Sequence, residues 1–394
     1  GDVDILATID EGKKPASAKD SAGRVIDFFV SMPGVVKIWG KGPTKASIRL
    51  KENFDVDLRV LPEKQFGSGL QYFTGSKEHN IVLRKIAIDR GLKLNEYGLF
   101  KGSKMIAGKN EKEVYSALKM NYIEPELREN TGEIEAAKAN KLPKLINYND
   151  ILGDLHIHSN WNGGENSIEE LANQAIKMGY QYIGIADHTK FLRIERGLDE
   201  KQLIRRNKEI DKINKMLHAS GSMFHVLAGC EVNIMADGSI DINDETLAKM
   251  DFVIAGIHSQ MKMPKEKMTE RIIKAMENKN VDIISHPTGR ILKKRDEYEV
   301  DFEKILETAK KTDTILEINS FPDRLDLKDI YIKKAGQAGV KMVINTDAHR
   351  IDHLRLMDFG ISQARRGWAE KKDIINAWPL EKLLKAFKRC LLIL

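Results

Sequence analysis

Short apolar runs alternate with longer amphipathic stretches from residue 150 onward. Each run has the length and composition of a buried strand. The runs cover residues 153–159, 182–186, 226–230, 252–257, 281–285, 314–318 and 341–345. The stretches between them have helical patterns. In the first, Ser167 and Glu170 form a predicted capping box, Ile168, Leu171, Ala172, Ala175 and Ile176 form one apolar stripe, and Gly179 ends the helix. This alternation predicts an α/β fold built as a parallel barrel.

Most of the predicted strands end in side chains that bind metals. His156 and His158 share one face of the first strand, and neutral imidazole is the commonest metal ligand in proteins. Further candidates follow the later strands: His188, Glu231, His258, His286, Asp347 and His349. Because the carboxyl ends of barrel strands meet at one face, we expect these side chains to converge on a metal site. The other histidines, His79, His218, His225 and His353, lack this placement and are expected to be structural or exposed.

The N-terminal part carries a second set of acidic positions. Asp2 and Asp4 share a face of a predicted strand over residues 1–6, and strands are also predicted over 46–50 and 56–61. On the last of these, Asp57 shares a face with Asp55 and Arg59. Carboxylates brought together on adjacent strands would bind two Mg²⁺ ions and suit nucleotidyl transfer. The alternative is a solvated strand face.

Composition adds few constraints. The formal net charge of +6 permits a nucleic-acid partner without requiring one. Cys230 and Cys390 give no disulfide framework, and no apolar run approaches the ~18 residues of a membrane span. We therefore expect a cytoplasmic protein, without a membrane partner and monomeric by default. The chain begins at Gly1, inside a predicted strand, so we expect a piece of a longer polypeptide.

The strand-end motifs resemble those of the PHP (polymerase and histidinol phosphatase) superfamily, in particular the domain at the C-terminus of bacterial and archaeal family X DNA polymerases. The motifs are Gly-Asp-Leu-His-Ile-His-Ser, Ala-Asp-His-Thr, Gly-Cys-Glu-Val, Ile-His-Ser, Ser-His-Pro-Thr-Gly-Arg and Asn-Thr-Asp-Ala-His. The resemblance implies a distorted seven-stranded (βα) PHP barrel that holds up to three Mn²⁺ or Zn²⁺ ions on the eight candidates above. Gly163 stands where the family usually has a ligand aspartate. Glu165 is the candidate replacement, and the alternative is a weak or empty site.

The N-terminal part resembles the palm and thumb of family X polymerases, on Gln71-Tyr72-Phe73-Thr74-Gly75-Ser76 and Asn95-Glu96-Tyr97. The resemblance implies an α+β nucleotidyltransferase palm and thumb over residues 1–140, a linker over 141–150 and the PHP barrel over 151–394. By that resemblance the metal carboxylates are Asp2, Asp4 and Asp57, and the nucleotide-binding residues are Tyr72, Phe73, Gly75, Asn80 and Arg84. The lyase-like domain, the fingers and a Gly-Ser phosphate-binding segment of such polymerases have no counterpart here, so we expect weak or no polymerisation.

Basic residues gather in two loops that follow predicted ligands. They are Arg193, Arg196, Arg205 and Arg206 in the first loop, and Arg290, Lys293, Lys294 and Arg295 in the second. Such loops could contact a phosphate backbone, and the alternative is a solvated helix face. The last predicted element is an amphipathic helix over residues 380–394, packed on the barrel.

Taken together, the resemblances imply a DNA repair enzyme. Its partners would be gapped or primer–template DNA and deoxynucleoside triphosphates. The barrel would be a Mn²⁺-dependent 3'-5' exonuclease, with 3'-phosphatase and abasic-site cleavage as related activities, and the palm would fill gaps. Glu231, His156 and His158 would be catalytic, while Asp154 or Asp187 would orient histidines. The alternatives are a small-molecule phosphatase of the histidinol phosphatase type and a catalytically decayed DNA-holding module.

Overall fold

The computed structural model describes residues 2–9 and 18–389, and it divides into two compact units at Leu142 and Pro143. The expected linker, residues 141–150, crosses this division. Within it, Ile146 is buried in the core of the second unit, and the Lys144 amide donates to Glu370 Oε1 (2.8 Å). In the described part of the chain, no helix is both long and apolar enough to cross a membrane.

The first unit begins with a four-stranded sheet and one helix. The elements are β1 (Val3–Ile9), α1 (Ala18–Val30), β2 (Val35–Lys41), β3 (Lys45–Leu50) and β4 (Asp55–Pro62). The strand order is β1-β4-β3-β2, with β1 parallel to β4 and the other pairs antiparallel. The predicted strands over 46–50 and 56–61 are confirmed. Strand β2 was not predicted, because it is an exposed edge strand without a buried face to impose alternation.

The rest of the first unit is helical with a small antiparallel sheet. Its elements are α2 (Phe66–Thr74), α3 (Lys77–Asp89), β5 (Lys93–Asn95), β6 (Gly98–Lys101), β7 (Lys104–Ala107), α4 (Glu111–Ala117) and α5 (Glu133–Lys138). His79 is buried in α3, where its ring nitrogens contact Glu133 Oε1 (2.7 Å) and the Tyr115 hydroxyl (2.9 Å). It is a structural histidine, as expected.

The second unit is a parallel barrel. Its strands are β8 (Gly153–Ile157), β9 (Tyr182–Ile185), β10 (His225–Asn233), β11 (Phe252–Gly256), β12 (Ile283–Ile284), β13 (Ile315–Asn319) and β14 (Met342–Asn345). All neighbouring pairs are parallel, in chain order from β8 to β14. The His158 amide donates to the Ala348 carbonyl (2.8 Å), and the Ala348 amide donates to the His156 carbonyl (3.2 Å). These two bonds bring the edge strands together, so the predicted seven-stranded barrel is confirmed.

Helices separate the strands of the barrel. They are α6 (Ile168–Lys177), α7 (Glu200–Ala219), α8 (Asp244–Leu247), α9 (Lys265–Met276), α10 (Phe302–Thr312), α11 (Asp329–Ala338), α12 (Met357–Arg366) and α13 (Leu380–Leu384). Helix α6 has the predicted capping box of Ser167 and Glu170. Its predicted apolar stripe is buried except at Ile176, which is 36% exposed because it lies at the margin of the stripe.

The predicted C-terminal helix was too long for the described residues. Helix α13 ends at Leu384, because the chain then turns to bind the buried carboxylate of Asp282. The Lys388 amide donates to Asp282 Oδ1 (2.8 Å) and the Arg389 guanidinium donates to Oδ2 (2.8 Å). Leu383, Leu384 and Phe387 join a buried cluster with residues from all seven barrel strands, so this segment packs on the barrel as expected. Residues 390–394, including Cys390, lie outside the described part.

Candidate metal centre

A buried carboxylate, Glu231 on β10, stands among four imidazoles. Its Oε2 atom lies 2.8 Å from His188 Nδ1 and 3.3 Å from His156 Nε2. Its Oε1 atom lies 3.3 Å from His258 Nε2 and 3.2 Å from His286 Nε2. The fold thus brings these five predicted ligands from separate strand ends to one point, as parallel barrels do.

Several side-chain nitrogen and oxygen atoms of the candidate ligands are buried without a hydrogen-bond partner. They are His156 Nε2, His158 Nδ1, His188 Nδ1, His258 Nε2, His286 Nδ1 and Glu231 Oε2. Three of these nitrogens, His156 Nε2, His188 Nδ1 and His258 Nε2, face the Glu231 carboxylate. Buried polar atoms are normally paired, so these nitrogens and Glu231 Oε2 need another partner. Divalent cations fit, because they accept lone pairs from imidazole and carboxylate together.

The potential ligand atoms form three overlapping groups, and within each group they all lie within 4.8 Å of one another. The groups are His156, His158 and Asp347; His188, Glu231 and His258; and His158, His188 and His349. Seven of the eight expected barrel ligands therefore occur in the groups, and His286 joins them through its contact with Glu231. Each group is of a size that suits one ion.

Neighbouring hydrogen-bond acceptors fix which nitrogen of a histidine faces the centre. Nδ1 of His156 lies 2.7 Å from Glu317 Oε1, and Nδ1 of His258 lies 2.8 Å from Asn233 Oδ1. Nδ1 of His349 lies 2.9 Å from the Asp347 carbonyl. When Nδ1 donates its proton to these acceptors, the Nε2 lone pair is left for a metal.

Sequence reasoning missed Glu317 and Asn233 as functional residues. Glu317 is fully buried in the middle of the apolar strand β13, and an acid inside such a run is a signal that could have identified it. Asn233 lies two residues after Glu231 on the same strand, and therefore on the same face.

Opposite charges dominate the electrostatics of the centre. Burial opposes the charged form of His156, but the carboxylates of Glu317, Glu231 and Asp347 raise its pKa well above the ordinary value. Burial likewise opposes ionisation of Glu231, yet the surrounding imidazoles, with His156 foremost, hold its pKa well below the usual range. The pKa of Asp347 is lowered in the same way, against the effect of burial. The carboxylates are therefore poised in the anionic form that binds cations.

Asp154 or Asp187 was expected to orient histidines, and both contact the backbone rather than an imidazole ring. Asp154 Oδ1 accepts from the His156 amide (3.1 Å), and Asp187 Oδ1 accepts from the Ser159 amide (2.7 Å). Both carboxylates therefore hold the backbone of the segment that carries the first two ligands.

Arg206 fits neither the phosphate contact nor the solvated helix face that were considered for its cluster. Its side chain is fully buried, and Nη1 donates to Asp187 Oδ2 at 3.1 Å. On α7, Arg206 points inward while the neighbouring Arg205 is exposed, because adjacent residues of a helix face different directions.

The other basic residues divide into exposed and engaged side chains. Arg193, Arg196, Arg205, Lys293 and Lys294 are exposed, and of these Lys294 donates from Nζ to Asp323 Oδ2 (2.9 Å). Arg290 Nε donates to the Arg324 carbonyl (2.9 Å), and Arg295 Nε donates to the Gly289 carbonyl (2.8 Å). Arg290 and Arg295 thus brace their loop.

Arg324 was not predicted as a functional residue. Its Nε lies 3.8 Å from Asp347 Oδ2, and its buried Nη1 atom has no hydrogen-bond partner. Burial is the main cause that lowers the pKa of His286 to about 4, and the charge of Arg324 is the second. The arginine therefore places an unpaired guanidinium N–H next to the candidate ligands.

Glu165, the candidate replacement for the expected aspartate, is exposed. Its amide donates to the His349 carbonyl (2.8 Å), and its carboxylate acts electrostatically on Arg350. It belongs to none of the three ligand groups found among the described residues.

The palm carboxylates lie on neighbouring strands. Asp4 on β1 is directly opposite Asp57 on β4, and Asp2 precedes β1. Burial and then the like charges of Asp57 and Asp2 raise the pKa of Asp4. A cation would relieve this repulsion, so the residues fit a divalent ion. Asp55, on the same face, accepts hydrogen bonds from Arg49 Nε (2.7 Å) and Arg49 Nη2 (2.6 Å).

A groove of about 840 Å³ adjoins these carboxylates, and Asp4, Asp57, Arg59 and Phe73 are among its lining residues. Tyr72 packs edge-on against Phe73, with ring centroids 5.2 Å apart. Three further predicted nucleotide-binding residues are placed as follows: Gly75 is buried with φ 71°, Asn80 is buried with its Nδ2 donating to the Tyr72 carbonyl (2.7 Å), and Arg84 Nε donates to the Asn80 carbonyl (3.3 Å).

Comparison with known proteins agrees with both halves of this description. The DNA polymerase beta thumb model matches residues 69–129, and the PHP domain model matches residues 154–321. These matches define a chain that joins a polymerase-β-type region to a PHP barrel. The chain belongs to the family X DNA polymerases that carry a PHP domain. The family indicated by the sequence motifs is thereby confirmed.

Individual relatives match to different extents. The DNA polymerase/3'-5' exonuclease PolX of Bacillus subtilis is 40% identical over 376 residues, which are 94% of this chain and 65% of that protein. A probable phosphatase of Thermoanaerobacter sp. (strain X514) is 33% identical over 207 residues, 50% of this chain and 78% of that protein. Leishmania infantum polymerase beta in a ternary P/T complex shares 26% identity, with a TM-score of 0.29, over 33% of this chain and 62% of that chain.

Proposed function

We propose that the barrel hydrolyses phosphodiester bonds at the 3' ends of DNA. The observation that carries this proposal is the buried carboxylate of Glu231 among imidazoles whose facing nitrogens have no hydrogen-bond partners. Such a donor set is built for a cluster of divalent ions rather than for a hydrogen-bonded core. The relative from Bacillus subtilis, which bears the name of a 3'-5' exonuclease, makes DNA the favoured substrate.

The ions would be Mn²⁺ or Zn²⁺, held by His156, His158, His188, Glu231, His258, His286, Asp347 and His349. When bound, they would supply Lewis acidity toward phosphate oxygens and activation of water. Glu317 and Asn233 keep the rings of His156 and His258 in the tautomer that faces the cluster. Glu231, between two ligand groups, would bridge ions.

Arg324 would hold the phosphate of the substrate. Its Nε atom lies 3.8 Å from Asp347 Oδ2 and its Nη1 atom is buried without a partner, and a guanidinium N–H with no protein acceptor suits a phosphate oxygen. The exposed arginines after His188 would contact the DNA backbone farther from the reacting bond.

The palm would transfer nucleotides when it binds two Mg²⁺ ions on Asp2, Asp4 and Asp57 and when the N-terminal regions of family X polymerases are present. Its substrates would be deoxynucleoside triphosphates and the primer end of gapped or primer–template DNA, with the groove beside Phe73 receiving the incoming nucleotide. The two halves would then trim and fill gaps during base excision repair.

The test is digestion of 5'-labelled gapped DNA in the presence of Mn²⁺. The unmodified chain is compared with His156→Ala, with Asp57→Ala and with His218→Ala, a matched control at an exposed histidine. We expect 3' trimming to be lost in His156→Ala alone. Trimming that persists in His156→Ala, or no trimming by an unmodified chain that has bound Mn²⁺, would contradict the proposal.

A second candidate is hydrolysis of small phosphate monoesters. It is favoured by the relative described as a probable phosphatase, which is similar over the barrel half of the chain. The same variants assayed with p-nitrophenyl phosphate separate the two candidates, since turnover of this compound without 3' trimming of DNA would select the phosphatase.

A further inference from the structure

One of the three ligand groups has no carboxylate. His158, His188 and His349 bring three nitrogen atoms within 4.8 Å of one another, whereas each of the other groups includes an acid, Asp347 or Glu231. Three neutral imidazoles leave the full charge of a divalent ion uncompensated and one position of a tetrahedral site open.

The carboxylate of Glu195 lies beside this group, although it is not one of its members. A Cβ atom built on Gly163 would lie 3.0 Å from Glu195 Oε2 and 3.7 Å from Cδ2 of His349. The acid and the His349 ring therefore face the same small space above Gly163. This space is open because residue 163 has no side chain.

Hydrogen bonds to the backbone of its loop hold Glu195 at this place. Asn162 Nδ2 donates to the Glu195 carbonyl (3.0 Å), while Asn162 Oδ1 accepts from the His188 amide (3.0 Å). One asparagine thus ties the acid to a ligand strand. The Leu198 amide also donates to the His188 carbonyl (2.8 Å), so the loop is fixed on both sides of Glu195.

A close approach at Gly197 fixes the loop further. A Cβ atom at this position would lie 1.9 Å from the Thr189 carbonyl oxygen, so only glycine fits. The loop that carries Glu195 is therefore packed directly against the segment that follows His188.

We propose that Glu195 is a metal ligand that completes, with His158, His188 and His349, the site for a further Zn²⁺ or Mn²⁺ ion in the barrel. The proposal deepens the proposed function, on which it rests. Glu195 reaches the space above Gly163 from a loop that follows the second barrel strand. Glu165, the nearer acid in sequence, is exposed and acts on Arg350 instead.

The test is the number and affinity of bound ions. All proteins carry Asp57→Asn, so that ions in the palm do not enter the count. After dialysis against Zn²⁺, the bound ions are counted by inductively coupled plasma mass spectrometry, and their affinities are measured by competition with a chromophoric chelator. Glu195→Gln keeps the size of the side chain and removes its charge, and Glu165→Gln is the matched control.

We expect Glu195→Gln to lose one ion, or to bind one ion at least about tenfold more weakly, because outer-shell losses already cost about 10–100-fold. Glu165→Gln should match the parent protein. The double variant Glu195→Ala with Gly163→Asp should regain the ion, since aspartate tolerates the positive φ of 67° better than most residues. Equal melting temperatures of the variants in chelator show that the metal-free fold is unchanged.

Two results would overturn the inference: full stoichiometry and affinity in Glu195→Gln, or loss of an ion in Glu165→Gln instead. Failure of the proposed function gives a different result. In that case the parent protein itself would bind no ion that His156→Ala removes.

Discussion

Replacing Arg206 with methionine removes a buried charge that is connected to the metal-binding segment through two hydrogen bonds. Arg206 donates to Asp187, and Asp187 accepts from the Ser159 amide, one residue after His158. A second guanidinium nitrogen donates to the Gly229 carbonyl and to Asn207. Methionine fills much of the same space but supplies none of these bonds.

The expected loss follows from burial. Both side chains of the pair are 0% exposed. Removing one partner of a buried ion pair typically costs about 3–5 kcal/mol, because the other charge stays buried without compensation. Asp187 keeps its bonds to Ser159, which favours the lower end, about 3 kcal/mol. For a unit of this size the change corresponds to a fall in Tm of roughly 6–12 °C.

Arg205→Met is the matched control, because the neighbouring arginine is exposed and its loss should change stability by no more than about 0.5 kcal/mol. Thermal unfolding is followed by circular dichroism, and DNA binding by fluorescence anisotropy. Equal stabilities of the two variants would refute the structural role of Arg206. A selective loss of DNA affinity in a fully stable Arg206→Met would restore the original interpretation of this residue as a phosphate contact.

Three further predictions concern the barrel. Glu317→Gln should weaken Mn²⁺ binding about 10–100-fold in a calorimetric titration, because His156 loses its carboxylate partner, whereas the exposed Glu307→Gln should not. Mn²⁺ at about 100 times its Kd should stabilise the parent chain by about 2.7 kcal/mol, and a scan in chelator should remove this gain. Burial raises the pKa of Asp326 to about 6 against an ordinary 3.8, so its charged form costs stability as the pH rises from about 4 to about 6. In urea unfolding, the parent should therefore lose about 1.4 kcal/mol relative to Asp326→Asn between about pH 5 and about pH 7.5, and parallel curves would contradict this.

The barrel was predictable because its strands obey a simple rule. A buried strand appears in sequence as an apolar run, and parallel strands bring their carboxyl ends to one face. His188, Glu231 and His258 could therefore be assigned to one site from their positions after such runs, without any knowledge of distances. The confirmed capping box of α6 has the same origin, since it depends on residues three apart in the chain.

Side chains that act from the interior of an element were harder to find. Glu317 supports His156 from the middle of a strand, and its role depends on which residue the barrel places opposite it. Arginine is usually a surface residue, but the face of α7 that carries Arg206 packs against β10. These partners are far apart in sequence, so no local pattern encodes them.

On the proposal that Glu195 is a ligand, the acid nearest to Gly163 in sequence is not the one that replaces the missing aspartate. Glu165 is the replacement that the sequence favours, because it is only two residues away from Gly163. The positive φ of Gly163 and the hydrogen bond from the Glu165 amide to the His349 carbonyl fix the backbone here, and the Glu165 side chain is exposed. Glu195 comes thirty residues after Glu165 in the sequence. Asn162 donates a hydrogen bond to its carbonyl, and its carboxylate lies next to Gly163. A ligand that enters from a loop need not preserve its place in the chain, because a metal site constrains the position of the donor atom and not the path of the backbone that supplies it. Compensation for a lost ligand should therefore be sought among the loops that surround the site in space.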